Sequence, residues 1–281
     1  MNPRQPLKCL LTLLPFAFAM TTHADSADQP LVVAHRGASH DAPENTLAAF
    51  RLAWEQGADA IEGDFFLTRD GKIVCTHDRV TGRLNSEKLR LEVAKSTLAE
   101  LQALDVGSWK GLEWEGERMP TLAEVLATVP DGKRVLIELK CGPEILGALK
   151  GEIEKCSLQP GQITIISFKK AVVAGAKETL PEIKAYWLAA FESDKESGEL
   201  TPTQASVFQT LRQVRADGFS CRDHESLDSD FLVALREMGC EAHCWTIDDP
   251  QRARELAEMG MQSITTNRPA PVGKALREVR R

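Results

Sequence analysis

Residues 60–67 read AIEGDFFL and residues 134–140 read RVLIELK. Each is a short, nearly unbroken apolar run closed by charged residues. A strand with one wet face would alternate apolar and polar side chains, so these runs predict parallel strands covered on both faces. Six further segments share the texture: Leu31–Ala34, Gln162–Phe168, Ile183–Ala189, Ala216–Cys221, Cys240–Ile247 and Gln262–Thr266. Helical patterns lie between many of them, over Thr46–Gln56, Thr121–Thr128, Pro143–Lys155, Lys169–Glu178, Ser229–Met238 and Pro250–Met259. Gly57, Gly239 and Gly260 follow three of these helices, as left-handed end residues do. Pro143 and Pro250 stand in first turns, where the missing N–H has no partner to lose. Strands alternating with helices predict an α/β fold, a closed (β/α)8 TIM barrel, with an open doubly wound sheet as the alternative. Arg79–Met119 breaks the alternation and reads as a small insertion after the second strand.

The 281 residues, 43% apolar and 27% charged, suit one such barrel of roughly 250 residues. The 34 Lys and Arg against 41 Asp and Glu leave a net charge of −7. That balance opposes sequence-independent nucleic-acid binding, which needs cations on phosphates, and it opposes docking on anionic lipid. The N-terminus reads as an address. Arg4 and Lys8 precede the apolar run Cys9–Met20, and Thr22-His23-Ala24 offers small residues for cleavage. The run is too short for a bilayer-spanning helix of about 20 residues. We therefore expect residues 1–24 to be a signal peptide, the mature chain to be periplasmic or secreted, and no stable membrane insertion. Six cysteines remain after that cleavage. Without a CxxC spacing or paired histidines they read as small hydrophobes rather than as a zinc site or a nucleophile.

Chemistry gathers at the strand ends. Glu62 and Asp64 are two residues apart, which on a strand puts both carboxylates on one face. Glu138 and Lys140 repeat that spacing. Three inward carboxylates make an all-oxygen site suited to Mg2+ or Ca2+. His35 and Arg36 close the first strand before Gly37, and His77 and Asp78 close a further short one, KIVCTHD. Two imidazoles beside acids and a guanidinium suit proton transfer around a phosphate. His40, His224 and His243 have no comparable company. Asn45 or Thr46 can cap the first helix, and Trp245, at the end of the seventh strand, is either core or pocket wall.

In order along the chain, HRG and PENT (within His35–Thr46), EGD (Glu62–Asp64), TRDGKIVCTHD (Thr68–Asp78), STLAELQALDVGSW (Ser96–Trp109), PTLAEVL (Pro120–Leu126), IELK, ISF (Ile166–Phe168), WTID and ITTNRP resemble the glycerophosphodiester phosphodiesterase family. The resemblance covers nearly the whole mature chain and implies a TIM-barrel domain over residues 31–277. It implies a divalent cation held by Glu62, Asp64 and Glu138, and His35 and His77 as the acid/base pair. Arg36 and Lys140 would bind the phosphate, and Trp245 would face the glycerol. The substrate would be a small glycerophosphodiester, such as glycerophosphocholine or glycerophosphoethanolamine, cut to sn-glycerol 3-phosphate and an alcohol. Two departures bear on substrate preference: Asn267 stands where the family often has Asp, and the stretch after Asp78 lacks the usual arginine–threonine cluster. The rival readings are a phospholipase or sphingomyelinase D-like activity, for which Trp109, Leu112 and Trp114 offer an apolar rim, and an exported phosphodiester-binding protein without turnover.

Overall fold

A computed structural model describes residues 29–85, 87–194 and 199–278. Eight parallel strands run Leu31–His35, Ala60–Leu67, Arg134–Leu139, Ile163–Ser167, Lys184–Ala189, Gly218–Arg222, Glu241–Trp245 and Ser263–Thr266. We number them as barrel strands one to eight. Each pairs with its sequence neighbours, and the first pairs with both the second and the eighth. The sheet is therefore closed, a (β/α)8 TIM barrel. The expected signal peptide, residues 1–24, lies outside the described residues.

The unbroken apolar runs are explained by closure, because every strand has helices on one side and the barrel interior on the other. Ile61 and Phe65 join the large outer core under the helices, together with Val32, Ala34 and Ile137. Residues one step away point inward, where Val33, Leu136, Ile166 and Leu188 form a separate apolar layer across the barrel. Glu62 and Asp64 share the inward parity, so the strand's period of two sends both acids to the interior.

After the second strand the chain folds back through Ile73–Cys75, antiparallel to Phe65–Leu67. The insertion then builds a small core of its own from Val93, Leu101, Leu104, Val106 and Met119, packed onto Phe66 and Val74. It is an annex of the barrel rather than a second domain. Thr97 caps its short helix Leu98–Gln102, and Thr121 caps the helix Leu122–Leu126 that returns the chain to the barrel, through reciprocal bonds with Glu100 and Glu124 respectively.

Some helix boundaries differ from expectation. The segment after Pro143 opens with a 3-10 turn, Pro143–Ile145, before helix Leu146–Ile153. Helices Gln204–Val214 and Pro269–Glu278 complete the outer ring and were not expected from the sequence. In the first, Thr210 holds one place in the buried stripe of Val207, Leu211 and Val214, which blurs the apolar period. Thr46, not Asn45, caps helix Leu47–Glu55, accepting from the Ala49 N–H. The six described cysteines are free thiols. Among the described residues, no helix is long and apolar enough to cross a membrane.

Candidate active site

The register of the first three strands brings the site together. His35 lies opposite Glu62, and Asp64 lies opposite Glu138. His35 and Glu138 sit at the C-terminal ends of their strands. The register sets Glu62 and Asp64, midway along the longer second strand, level with them at the mouth where barrels of this architecture carry their sites. Arg36 follows in a left-handed conformation (φ 56°) and Gly37 continues the turn at φ 81°. A Cβ on Gly37 would come within 2.5 Å of the Ala49 carbonyl carbon, so only glycine lets the turn approach helix Leu47–Glu55. The Arg36 conformation is held from both ends of the residue. Its backbone N–H donates to Glu62 Oε2 at 3.0 Å, and its guanidinium meets Glu44 at 2.9 Å and Asp64 at 3.1 Å.

Seven of the eight residues singled out in the sequence line one cavity of about 530 Å³: His35, Arg36, Glu62, His77, Glu138, Lys140 and Trp245. The eighth, Asp64, is fully buried and joins them through Arg36 and through Lys140 Nζ at 3.2 Å. Lys140 also meets Glu138 at 2.8 Å. Ligand oxygens of Glu62, Asp64 and Glu138 lie within 4.8 Å of one another. Glu62 Oε1 is buried with no hydrogen-bond partner among the described residues, a costly state for a carboxylate that a cation would relieve. Burial, together with Asp64 and Glu138, pushes the Glu62 carboxyl well above its ordinary range. Burial and Asp64 push Glu138 up to about 7. Asp64 goes the other way: burial raises it, but Lys140 and Arg36, with His77 and the Asn45 hydrogen bond, outweigh that effect and hold it below its ordinary range. Hard oxygen donors, an orphaned acceptor and mutual repulsion fit a divalent cation.

The imidazoles flank this cluster. Asn267 was noted in the sequence only as a departure, yet it fixes His35. Asp248 accepts from Asn267 Nδ2 at 2.7 Å, which aims the amide oxygen at His35 Nδ1, also at 2.7 Å. An amide oxygen only accepts, so His35 carries its proton on Nδ1 and keeps a lone pair on Nε2. Burial first, and then the charge of Arg36, lower the His35 pKa, while the Asn267 bond raises it. His77 Nδ1 lies 2.8 Å from Asp78, which in turn meets Arg83, and Arg83 meets Glu44.

Three further parts of the site were not expected from the sequence. Asn45 spans Asp64 on both sides, donating Nδ2 to its carboxylate and accepting its backbone N–H. Phe168 meets Trp245 edge-on with ring centroids 5.6 Å apart. Arg222 lies over the Trp245 ring at 5.4 Å, completing the wall opposite the carboxylates. The strand end GFSCR carried a signal for Arg222, a cation closing an apolar run.

A closed barrel whose mouth pairs buried acids with a guanidinium, an ammonium and two imidazoles is suited to anionic esters, and the wider comparison makes the class specific: this is a phosphoric diester hydrolase. The chain belongs to the glycerophosphoryl diester phosphodiesterase family, whose model matches residues 35–271. The Bacillus subtilis protein YhdW, provisionally named a glycerophosphodiester phosphodiesterase, is 35% identical over 245 residues, covering 85% of this chain and 94% of that one. A glycerophosphodiester phosphodiesterase of Caldanaerobacter subterraneus is 30% identical over the same shares. Among solved structures, an Oleispira antarctica phosphodiesterase in complex with the product sn-glycerol-3-phosphate is 28% identical with a TM-score of 0.77, covering 89% of this chain and 97% of its own.

Proposed function

We propose that this protein hydrolyses small glycerophosphodiesters, such as glycerophosphocholine or glycerophosphoethanolamine, to sn-glycerol 3-phosphate and an alcohol. The observation that carries the reading is the single cavity in which three buried carboxylates face two imidazoles across Arg36 and Lys140. The product seen in the Oleispira relative supports the glycerol phosphate half of the substrate. Glu62, Asp64 and Glu138 would hold Mg2+ or Ca2+, which when bound supplies withdrawal of negative charge from the phosphoryl oxygens. Arg36 and Lys140 bind the same phosphate by charge-assisted hydrogen bonds. Trp245 and Phe168 give the glycerol an apolar wall. His35, with a free Nε2 and a lowered pKa, takes the proton of the attacking hydroxyl or water. His77, backed by the Asp78 carboxylate, gives a proton to the leaving alkoxide. Turnover of glycerophosphocholine with Mg2+ or Ca2+, set against sphingomyelin and lysophospholipid, tests the assignment. Faster cleavage of intact lipid would replace it with the phospholipase-like alternative, which the 82% exposed Leu112 and the 38% exposed Trp109 of the insertion favour.

Asn267→Ala should separate positioning from chemistry. Loss of the amide removes the bond that raises the His35 pKa, so the acidic limb of kcat/KM should move to lower pH. The rate should fall on the order of tenfold, as for other groups that orient an imidazole. An unmoved pH profile would deny Asn267 this part.

We also propose that the protein works in the periplasm or outside the cell, on the strength of Arg4, Lys8 and the run Cys9–Met20. Protein from the native host should begin near Asp25 on N-terminal sequencing. An intact Met1 terminus in the cytosol would refute export.

A further inference from the structure

The barrel has a second cavity at the opposite, N-terminal mouth, about 480 Å³ against about 530 Å³ for the catalytic one. The apolar layer of Val33, Leu136, Ile166 and Leu188 lies between them, and the two cavities share no lining residue. Such ends are ordinarily closed by packed side chains that serve stability. Here the lining is polar and holds titratable groups with no part in the catalytic site.

His243, which the sequence left without company, lies deep in this cavity, only 5% exposed. Its ring stacks on Tyr186 at 4.2 Å, and its Nδ1 bonds Ser263 Oγ at 2.7 Å. Nε2 is buried with no hydrogen-bond partner among the described residues. The nearest carboxylate oxygen, on Glu241, is 3.7 Å away, outside hydrogen-bond reach. Glu241 itself is engaged by the Tyr186 hydroxyl and by Lys184. Burial lowers the His243 pKa against the pull of Glu241, so the ring is neutral. Arg134, at the rim, makes no ion pair among the described residues. A cavity of this size lined by the His243 ring and by Thr164, Ser263 and Gln262, with a guanidinium at the entrance, is the pattern of a polar small-molecule site.

The charges set the ligand class. Lys184 and Glu241 offset each other, which leaves one positive charge at Arg134. That matches a monoanion and leaves a phosphate dianion short of a partner. A guanidinium fork fits a carboxylate, while Ser263, Thr164 and His243 offer hydrogen bonds deeper in. We infer that the N-terminal mouth is a second binding site, for a small hydroxylated monocarboxylate. Its carboxylate sits on Arg134 and its hydroxyls reach His243 and Ser263. The inference is independent of the reaction proposed for the opposite mouth.

Calorimetric titration of the mature protein with D-gluconate, glycerate and inorganic phosphate tests it, with 15N-histidine spectra reporting on His243. Saturable binding of a hydroxy acid is expected, with a shifted His243 resonance. Arg134→Met should weaken that binding tenfold or more and leave kcat on glycerophosphocholine unchanged. Ser263→Ala should weaken it by a smaller factor, and it keeps the test open if Arg134→Met folds poorly. No saturable binding of either hydroxy acid, an unmoved His243 resonance, or affinities that ignore both substitutions would overturn the inference. Phosphate binding at His243 more tightly than the hydroxy acids would overturn the ligand class.

Discussion

His35→Ala is expected to lower kcat by about 10²-fold or more at saturating metal, the usual worth of a positioned acid or base, and His77→Ala by a similar factor. The two losses should differ in their pH dependence. His35 is poised as a base: Asn267 fixes the proton on Nδ1, and burial and Arg36 keep the ring neutral. Removing it should abolish the acidic limb of the profile, because that limb reports protonation of His35. His77 takes the place of the acid in this scheme, with the Asp78 carboxylate 2.8 Å from its Nδ1 orienting the ring toward the leaving group. Removing it should hurt substrates with poor leaving groups most. An activated ester such as a p-nitrophenyl phosphodiester needs no protonated leaving group, so His77→Ala should keep most of its rate on that substrate while His35→Ala does not. If both variants hold near-wild-type kcat on glycerophosphocholine, neither imidazole is in the reaction.

The parts of the site that were readable in the sequence are those fixed by local periodicity. Glu62 with Asp64, and Glu138 with Lys140, declare a common face because a strand has a period of two, and an acid in an apolar run is costly without a partner. Continuous rather than alternating runs announced the parallel barrel. What stayed hidden depends on register across the closure of the sheet. Asn267 reaches His35 over 232 positions, and only the pairing of the first and eighth strands makes them neighbours. His243 reads as an ordinary core histidine until strand pairing sets it beside Ser263 and Tyr186. Arg222 reaches Trp245 through the same kind of pairing, between the sixth and seventh strands. Helix Gln204–Val214 was obscure for a different reason, since a threonine in its buried stripe weakens the apolar period while tertiary packing still buries it.

Metal removal should abolish turnover and lower the melting temperature together, because a cation that binds only the folded chain adds to its stability. The carboxyl groups set the pH dependence of both effects. In the metal-free protein Glu62 lies well above its ordinary range and Glu138 at about 7, so near neutrality the cluster holds protons that the unfolded chain would release. For Glu138, the stabilisation from its raised pKa is fully present below the ordinary glutamate value near 4.5 and is lost as pH rises through about 7. The metal-free protein should therefore melt higher at pH 5.5 than at pH 8 as far as this cluster is concerned, while added cation should have its largest effect at pH 8. Binding must displace the held protons, so the heat of Mg2+ or Ca2+ binding at pH 6.5 should vary with the ionisation enthalpy of the buffer. Glu62→Gln keeps the shape and the oxygen that accepts from the Arg36 N–H, but removes a charge beside Asp64 and Glu138. Its metal-free melting temperature should equal or exceed wild type, with metal affinity weakened and kcat lowered by about 10²-fold or more, as expected when charge stabilisation of the transition state is lost. A Glu62→Gln protein that melts well below wild type without metal would mean that the carboxylate stabilises the fold itself. Full activity in chelator-treated protein, verified free of metal, would remove the cation from the mechanism and leave the three carboxylates without a catalytic part.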